Sequence, residues 1–98
     1  MNIEKVCVEN VMTLKVSGRL DTTTAPSLET AVSEVVGACE NLVLDFAGLE
    51  YISSAGLRVI LKAQKAMAAK GGMKVLHVNE TIMEIFEITG FCDILTIE

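Results

Sequence analysis

Residues 41–61 read NLVLDFAGLEYISSAGLRVIL. Leu42, Val43 and Leu44 form a continuous apolar run, the pattern of a strand covered on both faces. GLEYIS, residues 48–53, then reads as a loop, and a helix begins at Ser53 or Ser54. Its apolar stripe runs through Leu57, Ile60, Leu61, Gln64 and Ala68, and Gly71-Gly72 stops it. A buried strand leading into an amphipathic helix is the first half of a strand-helix-strand unit.

The flanking segments repeat that unit. Upstream, residues 3–8 predict a short strand and Glu9-Asn10 a tight turn. VMTLKVSG, residues 11–18, alternates, with Met12, Leu14 and Val16 on one side and Thr13, Lys15 and Ser17 on the other. DTTTAPS, residues 21–27, is a helix start with capping side chains and a proline suited to a first turn. Leu28, Ala31, Val32, Val35 and Val36 follow at helical spacing up to Gly37. Downstream, MKVLHV predicts a strand over 73–78. Residues 81–89 predict a helix with Ile82, Ile85 and Phe86 inward and Glu80, Glu84 and Glu87 outward; Gly90 ends it, and DILTIE is a last strand. The order β-β-α-β-α-β-α-β implies a single α/β domain over residues 1–98, with a mixed, mostly parallel sheet. Strand order is left open by the sequence.

Composition narrows the function. The chain has 98 residues, 51% of them hydrophobic and 21% charged, with a formal net charge of −5. That fits one packed domain. An acidic chain without clustered Lys and Arg lacks the counter-charges that nucleic acid requires. Cys7, Cys39 and Cys92 show no metal spacing and no even disulfide count, so reduced, partly buried thiols in a cytoplasmic protein are expected. The charged N-terminus does not resemble a signal peptide, and no apolar run reaches the roughly 20 residues of a membrane span. No cofactor is implied.

The serine pair admits two readings. A helix start leaves its first amide N–H groups unpaired and carries partial positive charge. A serine there is a common cap, contributing about 1 kcal/mol. The same position accommodates a phosphoryl group without disturbing the core. Arg58, Lys62 and Lys65 recur at i, i+4 and i+7, either as a solvated face or as a docking stripe for an acidic partner beside Ser54. Asp21 is either an acid favoured by the dipole of the first helix or a polar contact for a partner. Catalysis has little support: His77, the only histidine, has no nucleophile near it in sequence, and Asp45 reads as a strand-end acid. No GxSxG elbow, phosphate-binding loop or HExxH occurs.

Three segments, VSGRLDTTTAPSLE at 16–29, LVLDFAGLEYISSAGLRVIL at 42–61 and KGGMKVLHVN…IFEITGF within 70–91, resemble the STAS domain family. The likeness is greatest to stand-alone bacterial anti-sigma factor antagonists and spans essentially the whole chain. The resemblance implies a partner switch. Such proteins bind an anti-sigma factor that is also a serine kinase. Phosphorylation at the start of the second helix ends the binding, and a phosphatase resets the cycle. Matched onto the family pattern, Ser54 takes the acceptor position, with Ser53 as second choice, and Gly56 keeps its place. Ser53 stands where the family has aspartate, and Ala55 where it has a second small hydroxyl residue. The implied partner-binding set is Asp21, Thr22, Ser53, Ser54, Gly56, Arg58 and Lys62. Similar domains also serve lipid-transporting ABC systems and stress-signalling assemblies, where the serines would only cap.

Overall fold

A computed structural model describes all 98 residues. The strands are β1 (Asn2–Val8), β2 (Val11–Leu20), β3 (Asn41–Ile52), β4 (Met73–Leu76) and β5 (Thr96–Ile97). The helices are α1 (Ala25–Val36), α2 (Ser54–Ala68) and α3 (Glu80–Thr89), with a 3-10 turn over Phe91–Asp93. β1 and β2 form an antiparallel hairpin, and β2 to β5 run parallel. Strand order in the sheet is the chain order, β1-β2-β3-β4-β5.

That order corrects one expectation. Parallel crossovers are right-handed in nearly all proteins. Three of them stepping the same way along a sheet place their helices on the same face. β3 is therefore covered on one side, not two, and its burial alternates: Leu42, Leu44 and Phe46 are buried, while Val43 and Asp45 are only half-buried. β2 agrees, with Leu14 and Val16 buried and Lys15 exposed. The inward residues of the sheet join Leu28, Val32, Ile60, Met67, Ile82 and Phe86 in one apolar core.

A second difference lies in residues 48–52, which are strand and not loop. The β2–β3 pairing shifts twice, between Lys15 and Ser17 and between Gly18 and Arg19. At each shift β3 runs one residue ahead, as in a β-bulge. Phe46, Leu49 and Ile52 therefore all face inward although they lie three apart. Conversely, β4 and β5 are shorter than predicted, and the 3-10 turn takes up the start of DILTIE.

The inward stripe of α2 is Gly56, Val59, Ile60, Ala63 and Met67. Only Ile60 is shared with the predicted stripe, which is rotated by about one residue, or roughly 100°. Small residues let this helix lie close to the sheet. A Cβ on Gly56 would sit 2.6 Å from Leu20 Cγ and 3.0 Å from Ile52 Cγ1. Leu57 and Leu61 fall on its half-buried flank. Asn79 caps α3 by accepting from Ile82 N–H at 2.9 Å, and left-handed Gly90 (φ 80°) ends it. Of the thiols only Cys39 is buried; Cys7 and Cys92 are exposed, and none is paired. No helix is long and apolar enough to cross a membrane.

Candidate functional site

Parallel β2 and β3 end side by side, with Leu20 in register with Ile52. Asp21 and Ser53 are the next residues of their strands, so the turns into α1 and α2 are neighbours. They are stitched together where Ser53 N–H donates to Leu20 O at 2.9 Å.

The turn into α1 closes on itself. Asp21 Oδ1 accepts from Thr23 N–H at 3.0 Å and Thr24 N–H at 3.1 Å. The Thr24 hydroxyl donates to Arg19 O at 2.7 Å and accepts from Asp21 N–H at 2.9 Å. The Thr24 amide bond is the chief cause holding the Asp21 carboxyl below its usual range; partial burial opposes it, and Thr23, the Thr24 hydroxyl and Arg19 add to it. Thr22 stays exposed at the tip.

The turn into α2 is different. Ser53, with extended backbone, is the N-cap, and its Oγ accepts from Gly56 N–H at 3.5 Å. Ser54 is the first helical residue and is exposed. Its hydroxyl has no hydrogen-bond partner in the chain. The two serines are thus separated by role: the half-buried one caps, and the exposed one is unengaged.

Thr22, Pro26, Ala55, Arg58 and Lys62 line a shallow groove of about 310 Å³ between the two helix starts. The groove takes in three of the seven expected partner-binding residues, Thr22, Arg58 and Lys62; Asp21, Ser53, Ser54 and Gly56 do not line it. Lys62 is paired there with Glu29 at 3.0 Å. Gly56 is buried and shapes the surface from below. Arg58, Lys62 and Lys65 are all exposed, as their spacing predicts.

Two features escape sequence reasoning. Arg19 lies with its guanidinium carbon 4.2 Å from the centroid of the Tyr51 ring, at the end of β3 that leads into the serine pair. The only signal for it in the sequence is that the sole tyrosine of the chain precedes the serine pair. The other is a contact of Asp45 Oδ1 with His77 Nδ1 at 2.8 Å. Parallel pairing of Asp45 with Leu76 brings these residues together across 32 positions of chain. His77 stands just past β4 with a left-handed φ of 59°. Burial pushes the Asp45 carboxyl up, but hydrogen bonds from His77 and Ala47 N–H outweigh it and leave the group below its ordinary value. No three side chains among His, Cys, Asp and Glu gather to form a metal site.

The fold is thus a five-stranded sheet with its helices layered on one face and an exposed serine at the tip of α2, with Arg58 one turn further along that helix. The chain belongs to the STAS domain family, whose pattern it matches over residues 2–98. It is 31% identical over 100 residues to the anti-sigma F factor antagonist of Paenibacillus polymyxa, a match covering 99% of this chain and 86% of that protein. The crystal structure of an anti-sigma factor antagonist from Mycobacterium paratuberculosis superposes with a TM-score of 0.90 at 25% identity, covering 98% of this chain and 83% of that one. The Bacillus cell fate determinant SpoIIAA in its phosphorylated form shares the fold, with a TM-score of 0.77, 17% identity and coverage of 99% and 91%.

Proposed function

We propose that this chain is a cytoplasmic anti-sigma factor antagonist that works as a phosphorylation-controlled partner switch and not as a catalyst. Unmodified, it binds an anti-sigma factor that is also a serine kinase; modified at Ser54, it lets that partner go, and a phosphatase restores it. One observation carries the reading: Ser54 is exposed and unbonded at the tip of α2, while its neighbour Ser53 is engaged as the cap. In support, its relative in Paenibacillus polymyxa is named an anti-sigma F factor antagonist. SpoIIAA, which shares the fold, exists in a phosphorylated form.

The chemistry asks little of this chain. Ser54 Oγ attacks the γ-phosphorus of ATP held by the kinase, the new O–P bond forms, the bond to ADP breaks, and the hydroxyl proton leaves to a base of the kinase. The phosphate adds about −1.5 to −2 charges where the helix dipole tolerates them. A partner pressed against that spot would have to desolvate them, at a cost of several kcal/mol. A loss of about 4 kcal/mol is close to a thousandfold in affinity. Nothing in the core has to move.

The test is intact mass after incubation with each purified anti-sigma factor kinase of the source organism and Mg-ATP. One phosphoryl group on the wild type and on Ser53→Ala, with none on Ser54→Ala, is the expected outcome. Ser54→Asp weakens binding of that kinase at an almost unchanged melting temperature. Label on Ser53, or a large loss of stability in Ser54→Asp, overturns the assignment.

A further inference from the structure

The chain contains only two arginines, Arg19 and Arg58. Arg58 lies one helical turn into α2, and Arg19 pairs in register with Tyr51, two residues before Ser53 in the chain. Neither is tied down by a close ion pair. Arg19 meets one carboxylate, Asp21 Oδ2, at 3.9 Å from its Nε, and Arg58 meets none. By contrast three of the six lysines, Lys5, Lys62 and Lys74, are engaged by glutamates at 3.0–3.3 Å.

Tyr51 sharpens the point. Of the four aromatic residues, Phe46 and Phe86 are fully buried and Phe91 packs against the core. Tyr51 alone remains 37% exposed, opposite Arg19 in the β2–β3 register. Folding makes little use of either side chain there, since an exposed ion pair at 3.9 Å contributes little. A guanidinium resting on a ring keeps its fork of N–H donors free at the outer edge, and the stack limits the rotamers it would lose on binding. Tyrosine and arginine are also the side chains on which protein interfaces concentrate their affinity.

We infer that Arg19, held on Tyr51, is a specificity-determining anchor that receives a carboxylate of the docking partner, with Arg58 on α2 as a second receptor. The partner face that fits is acidic. On a chain of net charge −5, such a face is repelled by most of the surface and accepted at the arginines, which fixes its orientation as well as its identity. The inference rests on the proposed partner reading and deepens it.

The kinase that labels the wild-type chain is the probe, and its binding to the unphosphorylated chain is measured by titration calorimetry. Arg19→Glu weakens binding by about 30-fold or more, the level of an interface hot spot. Arg19→Gln, neutral and similar in length, loses about tenfold and preserves the test if the charge-reversed chain folds poorly. Tyr51→Leu loses about two- to fivefold, the share of an exposed cation–π contact. In the labelling assay these variants raise KM and leave kcat unchanged. Reversing one kinase carboxylate to arginine restores binding of Arg19→Glu, which a purely structural role would not produce. Binding of Arg19→Glu within about twofold of wild type, or the absence of any restoring kinase variant, overturns the anchor while leaving the partner switch standing. A wild-type chain that binds no kinase overturns the switch and the anchor together.

Discussion

The turns into α1 and α2 occupy equivalent places, each beginning one step beyond the register pair Leu20 and Ile52, yet they are built to opposite ends. Before α1, the Asp21 carboxylate accepts from the Thr23 and Thr24 amides, the Thr24 hydroxyl accepts from the Asp21 amide, and Pro26 removes a further donor from the first helical turn. Before α2, a single 3.5 Å bond from Gly56 N–H to Ser53 is the only side-chain cap, and the next hydroxyl is left free. An incoming anion therefore finds unshielded amides at α2 and a filled turn at α1. One turn spends its polar groups on shape, and its neighbour keeps one for the outside.

Leu20→Ala is the harshest way to break this contrast. Leu20 is fully buried, lies against Gly56, and offers the carbonyl that receives Ser53 N–H. Its truncation costs about 2–5 kcal/mol. That lowers the melting temperature by at least about 8 °C in a domain of this size. Amide exchange should rise at both helix starts, because both hang on this residue; a rise at only one would separate the turns. Gly56→Ala presses on the same residue from the α2 side. Its new methyl group meets Leu20 and Ile52 at 2.6–3.0 Å and should cost about 1–3 kcal/mol, with exchange rising more at α2 than at α1.

The two serines give a finer comparison. Ser53→Ala removes the cap of α2 and should cost about 0.5–1 kcal/mol, the low side of the usual range because the bond is long. Ser54→Ala removes a hydroxyl that bonds nothing and should leave the thermal midpoint within about 2 °C of wild type. If the two variants melt alike, the division into a capping serine and a free one is wrong.

What the sequence made legible followed from regular periodicity. The alternation of β2, the start of α1 and the glutamate face of α3 are all where their spacing puts them. Residues 48–52 were misread because two bulges turn a three-residue apolar spacing, Phe46, Leu49 and Ile52, into a strand. α2 was misphased because its inward face is made of Gly56 and Ala63, which no hydrophobicity argument ranks above Leu57 and Leu61. At the site, the choice between Ser53 and Ser54 could not be made from the residues, since both suit a helix tip; backbone geometry separates them. Arg19 on Tyr51 and Asp45 with His77 depend on strand register, and register between distant strands is not written in either segment.

The smallest effect tests the closed turn through its charge. Thr24 and Thr23 amides favour ionised Asp21 in the folded chain, with Arg19 alongside, so its folded pKa lies below the ordinary value near 3.9. The sign follows from linkage: a depressed acid contributes stability that is fully present above its unfolded pKa and is lost as pH falls through the folded one. Asp21→Asn keeps an acceptor oxygen but not the charge. In urea titrations the variant should be less stable than wild type at pH 5–7, and the gap should close as pH drops from about 4 toward 2. Asp45 beside His77 is depressed as well, but it is present in both proteins and cancels in the difference. A gap that persists unchanged at pH 2 would mean that the turn is held by hydrogen-bond geometry alone, and that its contrast with the α2 turn is one of shape and not of charge.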